Sequence, residues 1–199
     1  MKTNDQFAAM GPRRRAYRIV VVTIFTGIIA GIIWVLLIPT SVPLPVPDST
    51  TDNSMGITIL GKRDFVIQVK SALTLLRDKD PTAFKIVKKY IGIIQESTDI
   101  SEMLANVNPP VFLLTHKSAS YSVTWCASGI AHDSYHSKLY NDYRTKIFPI
   151  VPPWIWKGES AEKQCLQYQL PIMKAIGSPE SEMAPIRSGN TSYMDRTHD

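Results

Sequence analysis

The sequence predicts a mainly α-helical protein with an N-terminal single transmembrane helix, a proline-rich linker and one small helical domain that leaves room for short strands. Three observations carry this reading. Residues Ile19 to Ile38 read IVVVTIFTGIIAGIIWVLLI, with no charged residue and no polar face. Pro39, Pro43, Pro45 and Pro47 follow at once. Beyond them, apolar residues recur close to the i, i+3, i+4, i+7 spacing of an amphipathic helix.

The apolar run is about as long as a helix needs, because about 1.5 Å per residue over about 20 residues covers a hydrocarbon core of about 30 Å. Arg13, Arg14, Arg15 and Arg18 precede it, and no Lys or Arg occurs from Pro39 to Gly61. Positive charge stays on the cytoplasmic side. Residues 1–18 are therefore expected in the cytoplasm, residues 19–38 in the lipid bilayer and the rest of the chain outside the cytoplasm. A cleaved signal peptide would show a shorter apolar stretch, about 7–15 residues, and a small-residue cleavage site. IPTSVPLPV offers none, so an uncleaved anchor of the cell membrane is expected. Prolines favour extended polyproline II, which makes residues 39–55 a semi-rigid spacer. The domain proper is expected over 56–177, and the polar stretch 178–199 as a disordered tail.

Within the domain, DFVIQVKSALTLLR places Phe65, Val66, Val69, Ala72, Leu73 and Leu76 on one helical face. Asp80 followed by Pro81 marks a second helix start, an N-cap and then Pro at the first helical position. That helix is expected to run through TAFKIVKKYIGIIQES. Pro109-Pro110 excludes helix, and VFLL and YSVTW suit short strands or an extended lid. A third long helix follows from about Ser122 or Thr124 to about Tyr143. The last starts near Ser160 and ends before Gly177, with Pro171 expected to kink or divide it.

The net charge is +5, and residues 56–199 hold 17 Lys plus Arg against 14 Asp plus Glu. A surplus of only +3, scattered along the domain, excludes a nucleic-acid binder, which would gather basic residues on one face.

The chemistry centres on His132-Asp133-x-x-His136. On a helix, residues four apart lie one turn above each other on the same face, so both imidazoles can reach one zinc ion. The zincin motif HExxH uses this spacing, with its Glu as general base toward a water activated by the metal. Here Asp133 stands in that place, one methylene shorter. A third ligand is needed, and Glu162 on the following helix is the candidate. Glu159, Asp142 and His116 are weaker ones. Tyr140 continues the histidine face and could donate to an oxyanion or pack in the core. Gln169 could orient Glu162 or a ligand histidine.

These residues carry a resemblance. IAHDSYHSKLY followed by GESAEKQCLQYQLPIMKAIGSP is similar to small secreted or membrane-anchored bacterial zincin-like proteins with an HExxH or HDxxH helix and then an A-E-x-x-C-x-x-x-Q helix. The matching positions are His132, Asp133, His136, Ala161, Glu162, Cys165 and Gln169. The resemblance covers about residues 63–178 and implies a zincin-like helical domain, without supplying a substrate.

Cys126 and Cys165 are the only cysteines. Outside the cytoplasm they can pair, stapling the two helices that carry the proposed ligands, or remain two buried thiols. Trp154 and Trp156 could line a cleft, touch the membrane or cover the core. The expected function is a membrane-anchored zinc-dependent hydrolase, peptidase-like, acting on peptides of the cell envelope. The alternative is a non-catalytic binding or structural module of that envelope.

Overall fold

The computed structural model describes residues 42–144 and 150–189. Its strands overturn the mainly helical expectation. Five of them, β1 (Thr50–Asp52), β2 (Thr58–Gly61), β3 (Ile93–Ser97), β4 (Glu102–Leu104) and β5 (Val111–Thr115), form one mixed sheet in the order β1-β2-β3-β5-β4. β2, β3 and β5 run parallel, and β1 and β4 are antiparallel edges. The helices are α1 (Arg63–Lys79), α2 (Pro81–Tyr90), α3 (His116–Tyr121), α4 (Val123–Tyr143), α5 (Pro153–Trp156), α6 (Glu159–Ala175) and α7 (Glu180–Arg187). The expected membrane segment 19–38 and the basic residues before it lie outside the described residues. Among the described residues, no helix is long and apolar enough to cross a membrane.

Helix α1 buries Phe65, Val66, Val69, Ala72, Leu73 and Leu76, the same six positions that its sequence spacing selects. At the start of α2 the Asp80 carboxylate accepts from the Ala83 N–H at 3.0 Å, with Pro81 at the first position. The helix then stops at Tyr90, short of its expected extent. Ile93 to Ser97 instead pair with β2 and β5. A central strand buried on both faces does not alternate, so its short apolar run cannot be told from more helix by periodicity. Gly92 marks the change of direction. A Cβ there would meet the Pro109 ring at 2.5 Å, so no side chain fits where the two segments cross.

YSVTW is not extended either. Thr115 caps α3 by accepting from the Ser118 N–H, and Ser122 caps α4 by accepting from the Trp125 N–H. Two successive caps override the β-propensity of the residues between them. Both ends of the expected domain also move. Residues 50–52 of the expected linker add an edge strand, and residues 180–187 of the expected tail form α7. Ile186 of α7 is buried with Trp125, Leu166 and Met173. Glu182, 3% exposed, accepts from the Ser122 and Thr124 hydroxyls at 2.6 and 2.8 Å. A polar composition hid a short helix held by one apolar contact set and one buried carboxylate.

One face of the sheet, with Ile59, Ile94, Phe112 and Leu114, packs into a core shared with Phe65, Val69 and Leu73 of α1 and Ala127, Ile130 and Ala131 of α4. On the opposite face the Gln95 amide donates to the Pro43 carbonyl at 2.8 Å. Helix α4 is buried over most of its circumference, with Ala127, Ser128, Ala131, Ser134 and Ser137 at 0% exposure. Small residues let α1, α2 and α6 approach it closely; the Ser137 hydroxyl donates across to the Tyr90 carbonyl of α2 at 2.7 Å, while two others bond locally. Ser128 donates to the Trp125 carbonyl and Ser134 to that of Ala131. This central helix carries the histidines.

Candidate metal centre

The HDxxH turn lies in the middle of α4, facing α6. Four residues apart, His132 and His136 point the same way, and their Nε2 atoms stand 3.1 Å from each other. Glu162, in the first turn of α6, straddles them. One carboxylate oxygen is 3.2 Å from Nε2 of His132 and the other 3.2 Å from Nε2 of His136. Each carboxylate oxygen faces one ring, so Glu162 brackets the space between the two Nε2 atoms, within reach of a cation bound there. Cys165, three residues after Glu162 on the same helix face, turns its thiol to His136. Donor atoms of His132, His136 and Cys165 all lie within 4.8 Å of one another. All three residues are buried, and the group could hold a metal ion.

The outward nitrogens fix the orientation of both rings. His136 Nδ1 lies 2.6 Å from the Trp156 carbonyl, which can only accept, so Nδ1 carries a proton. His132 Nδ1 lies 3.0 Å from the Gln169 side-chain oxygen. The Gln169 amide donates in turn to the Ser128 hydroxyl at 3.2 Å, and Ser128 has spent its own proton on the Trp125 carbonyl. This relay assigns the oxygen of Gln169 to His132. In the neutral rings both Nε2 lone pairs therefore face the same small space. Two lone pairs 3.1 Å apart repel unless a cation, proton or metal, lies with them. Hydrogen-bonding the far nitrogen of a ligand histidine is the usual way a protein fixes its tautomer.

The charges agree with that need. Burial pulls the His136 proton affinity down, but the Cys165 thiol, the Glu162 carboxylate and Asp133 outweigh it and hold it well above the ordinary value. Burial works against the Glu162 charge, yet the two imidazoles hold its carboxyl well below the usual range. Burial raises Asp133, and Glu162 and Glu102 add to that while the two histidines oppose it. The Asp133 side chain has no hydrogen-bond partner among the described residues and stands beside the cluster.

The structure therefore brings His132, His136 and Glu162 together and sets Gln169 behind His132. It does not bring in the weaker candidates. Glu159 is exposed, Asp142 pairs with Lys138 and accepts from the Tyr90 hydroxyl, and His116 contacts Glu96 at the far end of β3. Tyr140 is buried edge-on against Trp156, with ring centroids 5.4 Å apart. Trp156 itself is a core residue, whereas Trp154 is 71% exposed. The expected disulfide is corrected, since both cysteines are free. Cys126 packs in the hydrophobic core, where burial pushes its thiol up to about 12, while Cys165 faces His136. The sequence leaves a disulfide or two buried thiols open and, having no C-x-x-C spacing, disfavours zinc ligation by cysteine, so Cys165 is not anticipated as a donor. The signal was present in its spacing of three from Glu162. Nothing in the sequence pointed to the Trp156 carbonyl.

Substituting Gln169 by Leu removes the acceptor for His132 and frees the ring to rotate. Metal affinity should fall about 10- to 100-fold, read by competition with a chromophoric chelator.

Comparison with family models, with curated proteins and with solved structures gives no match for this chain.

Proposed function

We propose that the protein is a zinc-dependent hydrolase, peptidase-like, with His132, His136 and Glu162 as zinc ligands and Asp133 as general base. The observation that supports it most is the set of three donor separations of 3.1, 3.2 and 3.2 Å, with both rings held in the ligating tautomer from behind. Two nitrogens and one carboxylate are the donor chemistry of a catalytic zinc, which would supply Lewis acidity to a substrate carbonyl and acidify a water. The residues of the chain do the rest. Asp133 takes a proton from the attacking water and returns it to the leaving amine, a role favoured by a raised carboxylate proton affinity.

A peptide substrate is supported by the position of β4. This strand is the edge of the sheet beside α4, and its outer side has no partner strand among the described residues. An extended peptide can add to such an edge through main-chain hydrogen bonds. Glu102 of β4 pairs with Lys157 and acts electrostatically on Asp133, so a strand added there would pass the base. The apolar segment 19–38 and the arginines before it support a membrane setting with the domain outside the cytoplasm, where envelope peptides are the available substrates.

Full-length protein purified without chelator should carry about one zinc per chain. It should cleave a peptide library at a rate that Asp133→Asn reduces at least about 100-fold, in line with loss of general-base catalysis. Absence of stoichiometric metal at neutral pH would sink the proposal. Zinc with cleavage unaffected by Asp133→Asn would remove Asp133 from it. The second reading, a non-catalytic envelope module with a structural metal, is favoured by one observation, the buried thiol of Cys165 in the donor group.

A further inference from the structure

A catalytic zinc needs three protein ligands and an open position, whereas a structural one is closed by four. The donor group of His132, His136 and Cys165 has Glu162 beside it, against both rings, so four side chains are at hand where the first class requires three. Cys165 is 0% exposed and lies on the same face of α6 as Glu162, and its thiol is within 4.8 Å of the ligating atoms of both histidines. The His136 imidazole is its hydrogen-bond partner. Glu162 and Cys165 as anions, with two neutral imidazoles, also balance the charge of a divalent cation.

Resting on the zinc reading above, we infer that Cys165 is the fourth metal donor and that the resting centre is closed by its thiolate. The protein is then latent. Peptide hydrolysis would then require the Cys165 thiolate to take up a proton from solvent and withdraw, leaving its place to a water. Cys126 has no part in this, being set in the hydrophobic core among Ala127, Ile130 and Ala131.

Cobalt(II) substituted into the full-length protein reports sulfur directly, because thiolate ligation produces an intense near-ultraviolet charge-transfer band. The wild-type protein should bind about one cobalt and show that band. Cys165→Ser should keep the cobalt, lose the band and cleave peptides at least about 10-fold faster than wild type, while Cys126→Ser should keep the band. Stoichiometric cobalt without the band in the wild-type protein overturns the inference and leaves the zinc reading intact. A band that persists in Cys165→Ser overturns it in the same way. If the band is present but Cys165→Ser is no faster, the ligand assignment stands and latency is overturned. No cobalt in the wild-type protein overturns the zinc reading and the inference with it. The wild-type spectrum decides whether a thiolate ligates without any variant having to fold.

Discussion

His136→Ala should abolish stoichiometric metal binding and lower the melting temperature by more than its core position alone would. The imidazole joins three features of the site. Its Nε2 is 3.1 Å from His132 and 3.2 Å from Glu162, and its Nδ1 holds the Trp156 carbonyl. Removing it leaves a buried acceptor unpaired, which costs about 1–3 kcal/mol. It also leaves Glu162 with one imidazole in place of two. The metal contribution is lost as well, about 4 kcal/mol at a free metal concentration of about 1,000 times Kd. For a domain of this size each kcal/mol moves the melting temperature by about 2–4 °C. Chelating the wild-type protein should reproduce the metal part alone, and the difference between the two experiments measures the ring. Stoichiometric metal retained by His136→Ala after dialysis would contradict the site.

Acid acts on the same balance. Metal must displace the proton that His136 holds unusually firmly, so metal affinity falls as pH falls. In the metal-free protein the raised His136 contributes stability that is full below its unfolded pKa and is lost as pH rises through the folded one. Depressed Glu162 contributes above its unfolded pKa and is lost as pH falls. The metal-free fold should therefore be most stable between those limits. Metal loading should shift the optimum upward, visible as melting temperature against pH with and without zinc.

Phe65→Ala should destabilise the domain by about 3–5 kcal/mol, the range for removing a fully buried phenylalanine. Phe65 is 0% exposed, and its ring lies so close to β2 that a Cβ on Gly61 would meet it at 2.5 Å. It therefore fills the space between the first turn of α1 and the sheet, with Ile94 and Phe112 in the same core. The proposed metal ligands sit on α4 and α6, not on α1. Zinc stoichiometry at a temperature well below the melting point should stay unchanged while the denaturant midpoint falls. Loss of metal in the folded variant would mean that the core and the centre are coupled more tightly than their contacts imply.

Much of the centre was legible because it rests on local periodicity. His132 and His136 share a face through helical geometry alone, and Glu162 and Gln169 fall seven residues apart on the next helix. The six buried positions of α1 and the cap at Asp80 are of the same kind, since each is decided within a few residues of chain. The sheet was not legible in this way. β3 reads as a continuation of α2, because Ile94, Gln95 and Glu96 are buried in succession and IIQES shows no apolar–polar alternation to betray a strand. The capping side chains Thr115 and Ser122 turned an extended-looking segment into two helices, and α7 was hidden by its polar composition.

The pairing of Cys126 and Cys165 failed for a related reason. Position along two neighbouring helices says which cysteines can approach, not toward which side each thiol turns. Packing decided that. Cys126 faces the core of the sheet and α4, and Cys165 faces the histidines across the α4–α6 seam. The HDxxH face, the Glu that answers it and the helix start and stop signals were all written in the order of residues, because they depend on a repeat of about 3.6 residues. Folding in three dimensions settled the rest: a mixed sheet backs the helices, the Trp156 carbonyl locks the His136 ring, and a thiol joins the two histidines. Those outcomes depend on which buried groups meet across distant segments, and no local pattern encodes that.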